Sequence, residues 1–261
     1  MSHASRKPVV VTARVLRSFS QAALDFVFPW TCHLCGCSDE VSRDGATGNF
    51  CRDCRRQVAP DILNSCGRCG AFLGPHSSAP GGCIHCRSKP IRFDSVTCLG
   101  MYEDALRKAV LSAKWSFSSA GTASLADLLF SQRRTELRDY NADLVIPIPQ
   151  SWQVRLRRRF NPASVIAAVL ASGLRVRTDE HILRRRRNTR PQKRVAVQRR
   201  FDNQKKSFRV RDGHLVEGRR ILLVDDVVTT GATCSEAARM LKQHGAKCCA
   251  VAVLARVLDG R

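Results

Sequence analysis

The chain has 261 residues, a hydrophobic fraction of 44% and a charged fraction of 25%, which are values of an ordinary soluble globular protein with room for one core and a small accessory module. No run approaches the eighteen or so consecutive apolar residues that a membrane span requires. The net charge of +22 favours a polyanionic partner or an anionic substrate, with a solvated basic surface as the alternative. Fifteen Lys and Arg residues lie between Arg175 and Arg211, against three acids, and this concentration favours a partner.

Residues 1–30 are basic and contain no acid before Asp25, as in a transit peptide. However, no A-x-A cleavage site follows a continuous apolar core. The apolar residues fit one face of a helix: Leu16, Phe19, Ala23 and Phe26. The pattern therefore favours a short amphipathic helix that docks on the rest of the protein.

Residues 31–90 contain eight of the thirteen cysteines, arranged as four C-x-x-C pairs. The pairs are Cys32/Cys35, Cys51/Cys54, Cys66/Cys69 and Cys83/Cys86. Two residues between thiolates let one tight turn present both sulfurs to a single ion, and two such turns complete a tetrahedral shell around Zn²⁺. Disulfides and an iron–sulfur cluster are the alternatives, but the regular spacing favours a double zinc ribbon with two zinc ions.

Neighbouring pairs are predicted to share an ion, with an interleaved pairing as the alternative. Four protein sulfurs leave no coordination position for water or substrate, so both sites are predicted to be structural. With eight sulfurs available, three histidines are interpreted as bystanders: His33, His76 and His85. Three further cysteines lie in apolar runs and are predicted core residues: Cys98, Cys248 and Cys249.

Residues 91–261 alternate apolar strands with helical patterns. Strands are predicted at 95–103, 142–151, 207–210, 219–226 and 247–257, and helices at 104–115, 121–140, 161–173 and 232–244. Because the strands are too apolar for one-sided exposure, the pattern predicts an α/β domain with a mostly parallel sheet flanked by helices. Ligands of such folds bind at the carboxyl ends of the strands, where the segments VIPIPQS and ILLVDDVVTTGAT offer polar or turn-forming residues.

The segment ILLVDDVVTTGAT places two carboxylates and a Thr-Thr-Gly loop between a strand and a helix. Gly231 lets the main chain approach an anion, and N–H groups at the start of a helix favour a phosphate. Three hydroxyl donors accompany them: Thr229, Thr230 and Thr233. Asp225 and Asp226 suit a neighbouring diol, such as that of a ribose. A metal-binding acid pair and a solvated strand end are the alternatives.

This segment resembles the phosphoribosyl pyrophosphate (PRPP) motif of type I phosphoribosyltransferases: a hydrophobic run, two acids, then T-T-G. The wider arrangement is similar to the competence protein F (ComF) family, in which cysteine ribbons precede a phosphoribosyltransferase domain. The matching stretches are Tyr102 before LRKAVLSAKW, IPIPQSWQVRLRRRFNPAS, NTRPQKRVAVQRRFDNQKKSF and ILLVDDVVTTGAT. Where the family usually reads R-G-F-N-Q-A, this chain has Arg159 for the glycine and Pro162 for the glutamine, so no role of that glutamine carries over.

The resemblance implies that the two acids bind the ribose hydroxyls and that the loop after them binds the 5-phosphate. The implied PRPP-binding residues are Asp225, Asp226, Val227, Val228, Thr229, Thr230, Gly231, Ala232 and Thr233. The implied pyrophosphate loop consists of Pro147, Ile148, Pro149 and Gln150, of which the prolines supply no N–H donor. Mg²⁺ would be held mainly by oxygens of the PRPP.

Two functions follow from these features. A Mg²⁺-dependent phosphoribosyl transfer needs cations that neutralise the pyrophosphate, and the candidates are Lys114, Arg158 and the basic segment from Arg184 to Arg200, beside Asp225 and Asp226 as further catalytic candidates. The ComF resemblance implies instead a factor for natural DNA uptake that handles single-stranded DNA in the cytoplasm, with other DNA-uptake proteins as partners. The alternatives are a metabolic phosphoribosyltransferase without a DNA role and a zinc-ribbon nucleic-acid reader with an inert α/β domain.

Overall fold

The structure is a computed structural model that describes residues 31–38, 50–60, 64–74, 82–116, 118–186 and 197–258. The predicted amphipathic helix of residues 1–30, His76 and residues 187–196 of the basic segment lie outside these ranges. Within them, no helix is long and apolar enough to cross a membrane.

A five-stranded parallel sheet forms the centre of the fold, as the alternation of apolar strands and helices predicts. The strands are β1 (Ser95–Met101), β2 (Leu144–Pro147), β3 (Arg177–Thr178), β4 (Leu183–Arg185), β5 (Phe208–Val210), β6 (Arg220–Val228) and β7 (Cys248–Arg256). The sheet has the order β1-β7-β6-β2-β3, and every neighbouring pair in it is parallel. β4 and β5 form a separate antiparallel pair, in which Arg185 lies opposite Phe208.

Helices connect the strands. They are α1 (Arg52–Val58), α2 (Asp104–Trp115), α3 (Ala120–Gln132), α4 (Arg134–Asp139), α5 (Trp152–Arg157), α6 (Pro162–Leu174), α7 (Val197–Gln204) and α8 (Ala232–Gln243), with a 3₁₀ turn at Gly213–Leu215. Helix α6 begins as predicted, because the side chain of Asn161 accepts a hydrogen bond from the N–H of Ala163 at 3.2 Å and Pro162 occupies the first turn. The helical pattern at 121–140 is divided at Arg133, whose Nε donates to the C=O of Cys98 at 3.1 Å.

Side chains alternate between the two faces of the sheet and build a core on each. On β6, Ile221 and Leu223 pack on the face covered by α8, whereas Leu222 and Val224 pack on the face covered by α2, α3 and α6. Both faces are buried, which explains why the strands read as continuous apolar runs.

The cysteine-rich region packs around β1, the edge strand of the sheet. The N–H of Val96 donates to the C=O of Gly67 at 3.0 Å, and the thiol of Cys98 faces the C=O of Gly70 at 3.5 Å. These contacts cover an edge that would otherwise present unpaired backbone groups. Three cysteines of the first two C-x-x-C pairs lie in the core on the α2 face: Cys32, Cys51 and Cys54. All four cysteines of the last two pairs lie in the core on the α8 face. The first two C-x-x-C pairs and the last two therefore pack on opposite faces of the sheet.

Candidate functional site

A cavity of about 260 Å³ lies at the carboxyl ends of β2 and β6, the position at which open α/β sheets bind ligands. It is lined by Ile148, Pro149, Gln150, Ser151, Val154, Arg158, Asn161, Arg185, Gln204, Asp225, Asp226 and Thr233. Both acids of the predicted PRPP motif therefore share one cavity with three of the four residues of the predicted pyrophosphate loop.

The two carboxylates belong to strand β6 itself, which continues to Val228 beyond the predicted end at Asp226. Because side chains alternate along a strand, the carboxylates leave on opposite faces. Asp226 Oδ2 lies 2.9 Å from Lys114 Nζ and 3.8 Å from Arg158 Nη1. Asp225 Oδ2 faces the thiol of Cys234 on α8 at 4.0 Å.

The local environments of the two acids differ. Burial, followed by the negative charge of Asp226, raises the pKa of Asp225 to about 7, although the N–H of Asp226 and the cations Lys114 and Arg185 act in the opposite direction. Asp225 Oδ1 accepts that N–H at 2.9 Å. Asp226, in contrast, is paired with two cations. The site therefore combines one ion-paired carboxylate with one that is easily protonated.

Aromatic rings lie beside the cations of the site. Lys114 Nζ lies 6.0 Å from the centroid of the Tyr102 ring, and the guanidinium of Arg158 lies 5.6 Å from that of Trp115. These contacts hold the long side chains of both cations beside Asp226.

Arg185 approaches the cavity from the β4–β5 pair. Its Nη2 donates to Gln204 Oε1 at 3.1 Å, and its guanidinium lies 5.3 Å from the centroid of the Phe208 ring. Its Nε is buried and has no hydrogen-bond partner in the described part of the chain. Burial lowers the pKa of this guanidinium, while the charge of Asp225 raises it.

The neighbours of Arg185 in the predicted basic segment, Arg184 and Arg186, do not line the cavity. Arg184 is half-buried and contacts His181 Nδ1 at 2.6 Å, and Arg186 is exposed. Residues 187–196 and the side chains of Arg199 and Arg200 lie outside the described residues.

The loop between β6 and α8 is built by Thr230 and Gly231. Thr230 is buried, and its hydroxyl oxygen accepts the N–H of Ala232 at 3.3 Å. Gly231 has a φ of +83°, and a Cβ there would lie 3.3 Å from the ring of Phe93, so a side chain would be both strained and crowded. Thr229 is exposed, while Thr233 in the first turn of α8 lines the cavity. Of the three predicted hydroxyl donors, Thr230 therefore takes part in a hydrogen bond within the loop itself.

The predicted pyrophosphate loop follows β2 directly. Pro147 ends the strand opposite Val224, and the N–H of Ile148 donates to the C=O of Val224 at 2.8 Å. The side chain of Asn161 donates to the C=O of Ile148 at 3.1 Å. Ser151 then starts α5, because its hydroxyl accepts the N–H of Val154 at 3.5 Å. The loop is thus fixed at both ends.

The eight paired cysteines form two clusters in which the sulfurs lie within 4.8 Å of one another. Cluster 1 contains Cys32, Cys35, Cys51 and Cys54, and cluster 2 contains Cys66, Cys69, Cys83 and Cys86, so neighbouring pairs combine and interleaved ones do not. Neither His33 nor His85 belongs to a cluster.

The sulfur positions fit a tetrahedral ion. Distances of 3.7 Å (Cys35–Cys51), 3.8 Å (Cys66–Cys86) and 3.6 Å (Cys69–Cys83) match the ~3.8 Å edge of a tetrahedron with ~2.3 Å Zn–S bonds. The cysteines form no disulfide. The donor set and its size therefore fit a structural zinc ion in each cluster.

Several residues of the cavity carry no signal in the sequence. Arg185 was one of many arginines in the basic segment, and nothing marked Gln204, which lies on an unpredicted helix, α7. Asn161 was recognised only as a helix cap, but it also holds Ile148. Sequence patterns reveal repeated or contiguous motifs. Arg185 and Gln204, in contrast, reach the cavity only in the folded chain, in which the β4–β5 pair lies beside it.

The fold and the site together define a type I phosphoribosyltransferase-like α/β protein preceded by two Cys₄ clusters. Residues 156–261 match the model of the phosphoribosyl transferase domain family. The "DNA utilization protein YhgH" of Escherichia coli O6:H1 is 31% identical over 88% of this chain and 98% of its own length. The "Competence protein F" of Haemophilus influenzae is 27% identical over 84% of this chain and 93% of its own length. The solved structure of a purine phosphoribosyltransferase from Pyrococcus horikoshii aligns with 51% of this chain and 73% of its own, at 20% identity and a TM-score of 0.32.

The chain belongs to the ComF (competence protein F) family, which its similarity to relatives over nearly their whole length establishes. Its N-terminal clusters fit the double zinc ribbon that the sequence predicts.

Proposed function

We propose that the cavity binds PRPP together with Mg²⁺. The observation that carries this proposal is the arrangement of opposite charges around one small cavity: Asp225 and Asp226 at the end of β6, and Lys114, Arg158 and Arg185 around them. A ribose bearing a phosphate and a pyrophosphate needs both kinds of group, because its diol donates hydrogen bonds and its phosphates accept them.

Each part of the site has a role in this proposal. Asp225 and Asp226 accept the ribose hydroxyls, and the 5-phosphate lies at the first turn of α8, where N–H groups have no acceptor within the helix. Gly231 lets the backbone come close to that phosphate. Arg158 and Arg185 neutralise the pyrophosphate, and Lys114 orients Asp226. Mg²⁺ is held mainly by PRPP oxygens and supplies further neutralisation of the pyrophosphate.

Calorimetric titration with PRPP and Mg²⁺ tests the proposal. Asp226→Asn removes a charged acceptor and leaves two cations without their partner, so we expect at least a tenfold loss of affinity, since a charged hydrogen bond contributes about 1.5–3 kcal/mol. Asp139→Asn is the matched control, because Asp139 is exposed at the end of α4 and does not line the cavity. No binding to the native chain, or equal affinity for the native and Asp226→Asn chains, would remove the proposal.

A second function, the handling of single-stranded DNA, is favoured by the surface beside the cavity. Three apolar side chains are exposed there: Trp115 (68%), Trp152 (56%) and Leu156 (77%). Three exposed arginines accompany them: Arg155, Arg157 and Arg159. Exposed indole rings stack on bases, and arginines neutralise the phosphates between the bases, which is the combination that non-specific single-strand binding uses. The names of the relatives refer to DNA utilization and competence, in agreement with this function.

Fluorescence anisotropy with labelled single-stranded DNA at several salt concentrations tests this second function. We expect affinity to fall steeply with salt, and Trp152→Ala to weaken binding about tenfold, since base stacking contributes about 1–3 kcal/mol per base. Trp152→Phe retains an aromatic ring and Gln153→Ala changes an exposed neighbour on the same helix, so both should bind nearly as well as the native chain. Absence of binding at low salt would be fatal to this function.

Phosphoribosyl transfer to an acceptor is the alternative to binding alone. Pyrophosphate release from PRPP, measured across nucleobases and amines, distinguishes the two. Release that depends on one acceptor would indicate a transferase, whereas tight PRPP binding without release in the presence of any of them would indicate that PRPP acts as a bound effector.

A further inference from the structure

Arg256, the last residue of β7, is the largest fully buried side chain of the described residues, with 1% of its surface exposed. Burying a cation is unfavourable unless its donors are satisfied. Its Nε donates to the C=O of Cys69 at 2.8 Å, and its Nη1 donates to the C=O of Val228 at 3.1 Å and to those of Thr229 and Val257. All of these acceptors are backbone carbonyls.

These carbonyls belong to two different parts of the molecule. Cys69 is a ligand position of cluster 2, whereas Val228 and Thr229 begin the loop that precedes α8. The rigid, planar guanidinium thus spans from a metal-binding turn to the proposed phosphate loop. The N–H of Val257 also donates to Val228 at 2.8 Å, so the start of the loop is held from more than one direction.

Two further contacts join the segment after cluster 2 to the same loop and helix. Phe93 lies against Gly231, where its ring would be 3.3 Å from an added Cβ. The hydroxyl of Ser235, in the first turn of α8, accepts the N–H of Arg92 at 3.0 Å and donates to the C=O of Pro90 at 3.0 Å. Both contacts are made by residues 90–93, which directly follow the Cys83/Cys86 turn of cluster 2 in the chain.

We propose that cluster 2, when it holds its metal, positions the phosphate loop through Arg256, so that metal binding and PRPP binding stabilise each other. This inference rests on the proposed PRPP site. Cluster 1 does not share the role, because it packs on the opposite face of the sheet and borders the first turn of α2 at Asp104 and Ala105. Arg256 is a positioning residue, since its Nε and Nη1 donate to backbone carbonyls. Coupling between two binding sites is reciprocal, which provides a test from each side.

The first test measures amide hydrogen exchange of the full, zinc-loaded chain over residues 226–235. Cys83→Ser removes a ligand of cluster 2, and Cys35→Ser is the matched change in cluster 1. We expect exchange in the loop to be at least tenfold faster in Cys83→Ser and unchanged in Cys35→Ser. Arg256→Lys keeps the charge but cannot span both sets of carbonyls, so it should also accelerate exchange in the loop while cluster 2 keeps its zinc. If Cys83→Ser does not fold, the exchange rate of the loop in Arg256→Lys is the deciding measurement.

The second test measures zinc release to a chelator with and without PRPP and Mg²⁺. We expect PRPP to slow the release of the cluster 2 zinc at least fivefold. That ion is one of the two in the native chain and the single ion of Cys35→Ser, and PRPP should have no such effect in Arg256→Lys. Unchanged exchange in folded Arg256→Lys and Cys83→Ser chains would overturn the coupling whether or not PRPP binds. Faster exchange in both variants, without any PRPP binding to the native chain, would support the structural link between cluster 2 and the loop. It would overturn only the proposal that PRPP is the ligand of the loop.

Discussion

Replacing Asp225 with asparagine is expected to remove a pH dependence from the stability of the ligand-free protein. Burial and the neighbouring charge of Asp226 raise the pKa of Asp225 to about 7 in the folded chain, whereas an aspartate in an unfolded chain titrates near ~3.9. The folded chain therefore holds this proton more tightly, and the free energy of unfolding falls as the pH rises through about 7. An asparagine has no proton to lose, and its Oδ1 can still accept the N–H of Asp226.

The size of the effect follows from these two pKa values. Between about pH 5.5 and about pH 8, proton linkage to this one carboxyl lowers the free energy of unfolding of the native chain by about 2 kcal/mol. The same linkage is absent from the Asp225→Asn variant. The variant should therefore lose about 2 kcal/mol less stability than the native chain over this range, and the difference should grow mainly between pH 5.5 and pH 7.

Urea unfolding followed by circular dichroism, in zinc-containing buffer without PRPP or Mg²⁺, measures both pH profiles. Neither chain has an altered cysteine, so protonation of the metal-binding thiolates contributes equally and cancels in the difference. Asp139→Asn, an exposed acid on α4, provides the control for a simple loss of charge. Parallel profiles for the native and Asp225→Asn chains would refute the raised pKa of Asp225.

Three further predictions concern the loop, the sheet and the metals. Gly231→Ala forces a left-handed residue to carry a Cβ against Phe93, so it should lower the free energy of unfolding by about 1–2 kcal/mol and weaken PRPP binding; unchanged stability in urea would contradict the strain. Tyr140→Phe removes a hydroxyl that donates to the C=O of Ile221 and accepts the N–H of Ala250, both at 2.9 Å, so urea unfolding should show a loss of about 1–3 kcal/mol, and a loss well below that would mean that water replaces the hydroxyl. Metal analysis should give two zinc ions per chain and one in either Cys35→Ser or Cys83→Ser, whereas a mass that shows disulfides in the purified native chain would exclude the zinc clusters.

Local patterns in the sequence were sufficient to predict the main elements of the fold. Strands β1, β2, β5, β6 and β7 and most helices of the α/β part follow from apolar periodicity, and α6 is also marked by its cap, because these signals lie within a few consecutive residues. The short strands β3 and β4 were not predicted. Each C-x-x-C pair follows from the same kind of signal, since such a turn is a local structure. The combination of neighbouring rather than interleaved pairs was decided by the folded chain. The acid pair and the Thr-Thr-Gly loop are likewise contiguous, and they identify the strand end at which the cavity forms.

The tertiary structure decided which distant residues meet at that strand end. Lys114 and Arg158 come from α2 and from the end of α5, and they reach Asp226 only because the sheet order places β6 beside β2. Arg185 and Gln204 enter the cavity because the β4–β5 pair folds over it, and Arg256 spans from cluster 2 to the loop because β7 lies between β6 and the edge strand β1. The sequence determined most of the longer elements and the local motifs by short-range periodicity and spacing. Only the folded sheet determined the ion pairs, the shifted pKa of Asp225 and the buried arginine, because these depend on distances between residues that are far apart in the chain.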